Sequence, residues 1–160
     1  MMSNQQPTSS SITTLFAPLG LAYGSLYSAL MLTRPQQVIV VTSQQAGQYL
    51  PLVVEAVKST LPQLRVEQHT LSDPFSGFVE GRELAQRLAQ QATEKNLACL
   101  TGGTTALQDT IRTIALLTVA QEFAVVDRRP VDLQRSQPLV VGELVPIPPV
   151  DTILAAANSG

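Results

Sequence analysis

Two segments of this 160-residue chain set glycines among hydroxyl side chains. The first is Pro18-Leu19-Gly20-Leu21-Ala22-Tyr23-Gly24-Ser25, and the second is Thr101-Gly102-Gly103-Thr104-Thr105. Glycine has no Cβ, so an anion can come close to backbone N–H groups, and a helix starting just beyond adds a favourable dipole. Ser25, Thr101, Thr104 and Thr105 can add side-chain donors. The chemistry indicated is the holding of a small phosphate-bearing ligand. Thr42-Ser43, which follows an apolar run, and the Arg128-Arg129 pair are further candidates for the same task. The candidate ligand contacts are therefore Pro18, Leu19, Gly20, Gly24, Ser25, Thr42, Ser43, Thr101, Gly102, Gly103, Thr104, Arg128 and Arg129. Neither glycine segment is a Walker loop or a G-x-G-x-x-G fingerprint. A tight left-handed turn that merely joins strand to helix also explains each, and paired arginines at a strand end are commonly just solvated.

Little else in the chain offers chemistry. His69 lies inside a strand pattern and reads as a structural histidine; Cys99, within Leu97–Leu100, reads as core. One cysteine leaves no internal disulfide and one histidine too few ligands for a usual zinc site, so neither metal nor cofactor is expected. Arg82, Glu83, Arg87 and Glu94 fit the wet face of a helix. No Ser/His/Asp or paired-carboxylate arrangement emerges from the spacing. A formal charge of −2 provides no basic stripe for long nucleic acid. With 44% hydrophobic and 14% charged residues, the chain is not a disordered tail. A reducing cytoplasm is the simplest compartment for it.

These candidates need elements to position them. Residues 1–10 read as a flexible segment, 11–149 as one domain and 150–160 as a tail. A strand is expected over Ile12–Phe16, with Ala17-Pro18-Leu19-Gly20 as turn, then a helix over Ser25–Thr33 stopping at Arg34-Pro35. Val38–Val41 is a β-branched run suited to a strand buried on both faces. Thr42-Ser43 caps a helix over about residues 45–60 that Pro51 either enters in its first turn or delays. An edge strand follows over Leu64–Leu71, a loop over Asp73–Gly77 and an amphipathic helix over Val79–Glu94. Leu97–Leu100 is a buried strand, Thr105–Val119 a helix and Phe123–Val126 a fifth strand. Leu139–Ile147 reads as a sixth strand, reached by a short polar connection and hence antiparallel.

This alternation defines an α/β, Rossmann-like fold: a mostly parallel, doubly wound sheet of about six strands with the last one antiparallel. Ligands of such sheets bind beyond the carboxyl ends of the strands. The loops in question are Pro18–Ser25, Thr42–Ala46, Asp73–Phe78, Thr101–Thr105 and Asp127–Arg129. Ile12 to Thr33 carries no charge and is long enough to span a bilayer. Pro18, Gly20 and Gly24 interrupt it, however, and nothing positive precedes it, so strand, turn and helix explain it better than a membrane segment.

Three segments, taken in order, resemble the CRISPR-associated Rossmann fold (CARF) domain. They are Ala17-Pro18-Leu19-Gly20-Leu21-Ala22-Tyr23-Gly24-Ser25-Leu26-Tyr27-Ser28-Ala29-Leu30, Val38-Ile39-Val40-Val41-Thr42-Ser43 and Leu100-Thr101-Gly102-Gly103-Thr104-Thr105. The resemblance runs over about residues 12–147, and the Thr-Gly-Gly-Thr loop after a buried strand is its most specific piece. Members of that family bind cyclic oligoadenylates, the second messengers of type III CRISPR defence, across the two-fold axis of a homodimer. The resemblance gives ligand-contact roles to Gly20, Gly24, Ser25, Thr101, Gly102, Gly103 and Thr104, with the glycine loops of both protomers facing one cleft.

It further implies a stand-alone ring nuclease acting on a cyclic oligoadenylate, cyclic tetra-adenylate first. The ribose 2′-OH would attack the adjacent phosphorus without a metal, giving a 2′,3′-cyclic phosphate. Ser25, Thr104 and Thr105 would contact the reacting phosphate, supplemented by Arg128 or Arg129. The sequence departs from the family in two ways. Most members join the domain to an effector, whereas this sequence ends soon after the expected sixth strand, and Arg65 and His69 are one residue too close for the Arg-x4–6-His motif of HEPN ribonucleases. Thr105 stands where several members carry lysine, which favours the alternative of a non-catalytic sensor or sequestering module.

Overall fold

A computed structural model of the chain describes residues 11–151 and Ala157. The expected segment 1–10 and most of the tail 150–160 lie outside the described residues. The elements run β1 (Thr13–Leu19), α1 (Gly24–Thr33), β2 (Gln37–Thr42), α2 (Gln44–Gly47), α3 (Leu50–Val57), β3 (Arg65–Thr70) and α4 (Phe78–Leu88). They continue with β4 (Lys95–Cys99), α5 (Thr105–Thr118), β5 (Gln121–Val126), α6 (Val131–Ser136) and β6 (Glu143–Pro146). The sheet order is β3-β2-β1-β4-β5-β6, parallel except for the antiparallel β5–β6 pair. This is the Rossmann-like α/β architecture expected from the sequence.

Alternate strand residues point to opposite faces, so the two sides of the sheet bury different sets. Leu15, Ala17, Leu19, Val38 and Val40 face α1 and α3, meeting Leu26, Leu30, Leu50 and Val53. Phe16, Ile39, Val41 and Ala98 face α4 and α5, meeting Leu84, Leu88, Leu107 and Ile111. The uncharged stretch from Ile12 to Thr33 is thus divided between β1, a turn and α1. Among the described residues, no helix is long and apolar enough to cross a membrane.

The differences from the sequence reading have physical causes. Ala17, Pro18 and Leu19 are strand, not turn. The Ile12 carbonyl accepts from Lys95 and the Thr13 carbonyl from Gln36, so even-numbered residues of β1 face β4 and odd-numbered ones face β2. Pairing with β4 ends at Phe16, whereas pairing with β2 runs to Leu19. The proline nitrogen therefore points into a gap where no ladder bond is needed, and the strand tolerates it. The helix expected over residues 45–60 is two helices: Ser43 caps the short α2 by accepting from the Ala46 N–H at 3.0 Å, and α3 starts late with Pro51 in its first turn. The expected short polar connection to β6 contains α6, and β6 itself is confined to Glu143–Pro146.

Candidate functional site

A cleft of about 670 Å³ opens at the carboxyl ends of the parallel strands. Gly20, Leu21 and Ala22 of the β1–α1 loop form one wall, and Ser43, Gln44, Gln45 and Ala46 form another. Ser72, Pro74 and Phe75 come from the β3–α4 loop, and Gly103, Thr104 and Leu107 from the start of α5. The cleft lies where the sheet order reverses direction at β1, the position at which open α/β sheets leave a crevice.

The two glycine loops touch at its floor. A Cβ on Gly20 would lie 2.6 Å from both Cα and N of Gly103, so backbone meets backbone there. Gly102 has φ 104° and Gly103 φ 77°, a left-handed turn that a residue with a Cβ enters only under strain. Among the described residues, no hydrogen bond occupies the N–H groups of Leu21, Ala22 or Gly103. Backbone donors without partners at the N-terminus of the 14-residue α5 suit an anionic group.

The hydroxyls of the cleft already have structural partners. Ser43 Oγ caps α2. Ser72 Oγ donates to Glu80 Oε2 at 2.9 Å. Thr104 Oγ1 accepts from the Leu107 N–H at 3.3 Å as the cap of α5, and its proton goes to the Pro74 carbonyl. That bond ties the α5 cap to the loop carrying Phe75. Asp73 shapes the same loop by accepting from Ser76 Oγ and from the N–H groups of Phe75 and Ser76. Its carboxyl is held below the ordinary range, first by the Ser76 hydroxyl and then by those two N–H groups. Among the described residues, no ionisable side chain lines the cleft.

Of the residues singled out in the sequence, the cleft gathers Gly20, Ser43, Gly103 and Thr104. Ser25 stands behind its floor, its Oγ 2.7 Å from where a Gly102 Cβ would be, and it makes only a 3.5 Å contact to the Ala22 carbonyl. Thr105 is exposed in the first turn of α5. Pro18, Leu19 and Thr42 are buried in their strands, and Thr42 Oγ1 donates to the Leu19 carbonyl at 2.7 Å. Thr101 Oγ1 accepts from the Val125 N–H at 2.9 Å, fixing the loop to β5. Gly24 faces away, because a Cβ there would lie 2.5 Å from the Pro138 carbonyl. Arg128 pairs with Glu143 at 2.9 Å and Arg129 with Asp127 at 2.7 Å; neither lines the cleft.

The sequence reading did not single out Leu21, Gln44, Gln45, Phe75 or Leu107. The first four lie in loops it had marked, but no local motif distinguishes them. His69 Nε2 meets Glu67 Oε2 at 2.5 Å on the edge strand, away from the cleft, and Cys99 is buried with its thiol pushed up to about 11 by burial. Among the described residues, no three His, Cys, Asp or Glu side chains gather as a metal site would require.

A mostly parallel Rossmann-like sheet with a neutral, glycine-floored cleft at its switch point is the class of structure defined here. No family model matches the chain, and no curated protein matches it in sequence. Solved structures do share the fold. One is Can2 from Sulfobacillus thermosulfidooxidans in complex with cyclic tetra-adenylate, with TM-score 0.59 and 14% identity, covering 71% of this chain and 32% of that one. Another is a type III CRISPR defence DNA nuclease activated by cyclic oligoadenylate, with TM-score 0.56 and 22% identity, covering 78% of this chain and 20% of that one. The chain thus spans about a third and a fifth of the length of these two proteins. The fold expected from the resemblance to the CARF domain is the fold found.

Proposed function

We propose that the chain binds a cyclic oligoadenylate, cyclic tetra-adenylate in the first instance, in the cleft between the β1–α1 and β4–α5 loops. The observation that carries this reading is the glycine floor, where Gly20 meets Gly103 at the N-terminus of α5 and the N–H groups of Leu21 and Ala22 have no hydrogen-bond partner. Such a floor can hold phosphates without any cation in the lining. The two structures of like fold, one in complex with cyclic tetra-adenylate and the other activated by cyclic oligoadenylate, support the choice of ligand. A ring of identical nucleotides presents equivalent groups to two copies of one surface, so the binding form is a homodimer with its cleft loops facing across the two-fold axis.

Two readings of the consequence differ in chemistry. As a ring nuclease, the protein would align a ribose 2′-OH for in-line attack on the adjacent phosphorus. The P–O5′ bond would break, leaving a 2′,3′-cyclic phosphate and a 5′-OH that takes up the proton released. Ser25 and Thr105, which flank the floor outside the cleft lining, would donate to the reacting phosphate. Ser25 supports this because its proton is held only by the long contact to the Ala22 carbonyl. As a sensor or sequestering module, it would hold the ring intact. Thr104 favours this second reading, since its proton is committed to Pro74. Calorimetry with cyclic tri-, tetra- and hexa-adenylate in EDTA, followed by chromatography of the ligand, tests both. One tetra-adenylate ring per two chains is expected. No heat with any ring overturns the binding reading, and an intact ring after hours at stoichiometric ratio removes the nuclease.

A further inference from the structure

The polar and apolar parts of the cleft are sorted by availability. Its hydroxyls are engaged in caps and braces, as described above. Among the described residues, the Gln44 and Gln45 side-chain amides have no hydrogen-bond partner, and both residues are exposed. Phe75 lines the same cleft with 78% of its surface in solvent, and Leu21 with 56%. A bare aromatic ring is costly to leave in water, and this one sits on a loop fixed by Asp73 and by Thr104. The ring is therefore presented on a fixed support instead of being folded inward.

An amide offers a donor and an acceptor side by side; the edge of a nucleobase uses both, whereas a phosphate, whose oxygens only accept, uses the donor alone. A flat apolar ring matches a base face. We propose that Phe75 is a stacking platform for one purine base of the ligand, with the Gln44 and Gln45 amides reading the edge of that base. This deepens the proposed binding of a cyclic oligoadenylate and rests on that reading for the cyclic ligand, while the base platform itself follows from the cleft. The specificity for base type then resides in this wall, and the phosphates lie against the glycine floor.

The chain contains no tryptophan, so Phe75→Trp introduces a single indole at the site. Stacking of adenine on that indole quenches its fluorescence. The expected results are quenching of Phe75→Trp by both cyclic tetra-adenylate and AMP, and a roughly 5- to 100-fold weaker binding of each by Phe75→Ala. Gln44→Ala/Gln45→Ala is expected to narrow the preference for AMP over uridine monophosphate. If wild-type protein binds cyclic tetra-adenylate while Phe75→Trp emission and Phe75→Ala affinity stay unchanged, the platform is overturned and the proposed function stands. If wild-type protein binds no cyclic ligand, the proposed function falls, and quenching by AMP alone decides the platform. A Phe75→Ala effect that comes entirely from loss of a dimer, seen as a halved mass in light scattering, makes the ring an interface contact and overturns the inference.

Discussion

Replacing Gly20 with alanine tests the floor of the cleft most directly. The added Cβ would sit 2.6 Å from Cα and N of Gly103. An ordinary carbon contact is about 3.5–4.0 Å, so the two loops must part by about 1 Å. Both are backbone, anchored by strands β1 and β4, and neither can swing aside as a side chain would. Overpacking of this kind costs about 1–3 kcal/mol. At about 2–4 °C per kcal/mol for a chain of this size, Gly20→Ala should lower Tm by roughly 4–8 °C at 2 kcal/mol. Gly47→Ala is the control: its Cβ would approach Gln68 Nε2 to 2.5 Å, nominally as tight. There the obstacle is the tip of an exposed, flexible side chain, and alanine is the better helix former by about 0.5–1 kcal/mol. Gly47→Ala should therefore melt at or slightly above the parent. Thermal unfolding followed by circular dichroism reads both variants. Equal melting points for Gly20→Ala and the parent, or an equal loss in Gly47→Ala, would refute the argument from what the Cβ meets.

Thr104→Ala should lose about 1 kcal/mol through the α5 cap and the brace to Pro74, whereas Thr104→Ser keeps both bonds; urea titrations in which the two variants coincide would contradict this. Val119 holds the C-cap of α5 at φ 53° with 89% of its surface exposed, so Val119→Gly should gain about 1 kcal/mol, and an unchanged urea midpoint counts against strain there. Glu67 is held below its ordinary range chiefly by the His69 hydrogen bond, and Asp73, Asp127 and Glu143 are lowered as well. The folded state then binds fewer protons than the unfolded one. This stabilisation is present in full above about pH 5, is lost as pH falls through the lowered values, and should fall less steeply in Glu67→Gln. Cys99 is buried, and its thiol, pushed up to about 11, should react with Ellman's reagent at pH ~8 only after denaturant is added; prompt reaction of the native protein would place it at an accessible surface.

The scaffold was legible wherever pattern and burial agree. Val38 to Val41 can only be a strand covered on both faces, and the apolar stripe of α5, Leu107, Ile111 and Ile114, faces one core as its spacing demands. Pro18 was misread because its tolerance depends on where β4 stops pairing, a fact of tertiary register and not of local turn chemistry. Helix α6 was missed because none of its residues is buried, so it leaves no apolar stripe to detect. The candidate cleft was legible as loops and glycines, and the left-handed turn that glycine permits is found at Gly102 and Gly103. Which hydroxyls remain available was not legible. Thr104 looks in sequence like a free donor, yet its partner Pro74 is brought to it only by the folding of the β3–α4 loop. Phe75 likewise carries no motif, and its importance lies in being left uncovered.

The early end of the β1–β4 pairing has a consequence for how the molecule assembles. The first three strands and the last three each come from a continuous stretch of chain, and the seam between them joins residues as distant as Thr13 and Lys95. Closing a loop of that length costs entropy that the contacts across the seam must offset. The cleft walls come from both sides of the seam: Gly20, Ser43 and Phe75 from one, Gly103 and Leu107 from the other. The wall with Phe75, Gln44 and Gln45 lies wholly on the first side, and the start of α5 on the second. A ligand touching both sides of the cleft would act as a rivet across the seam, raising the free energy of its local opening.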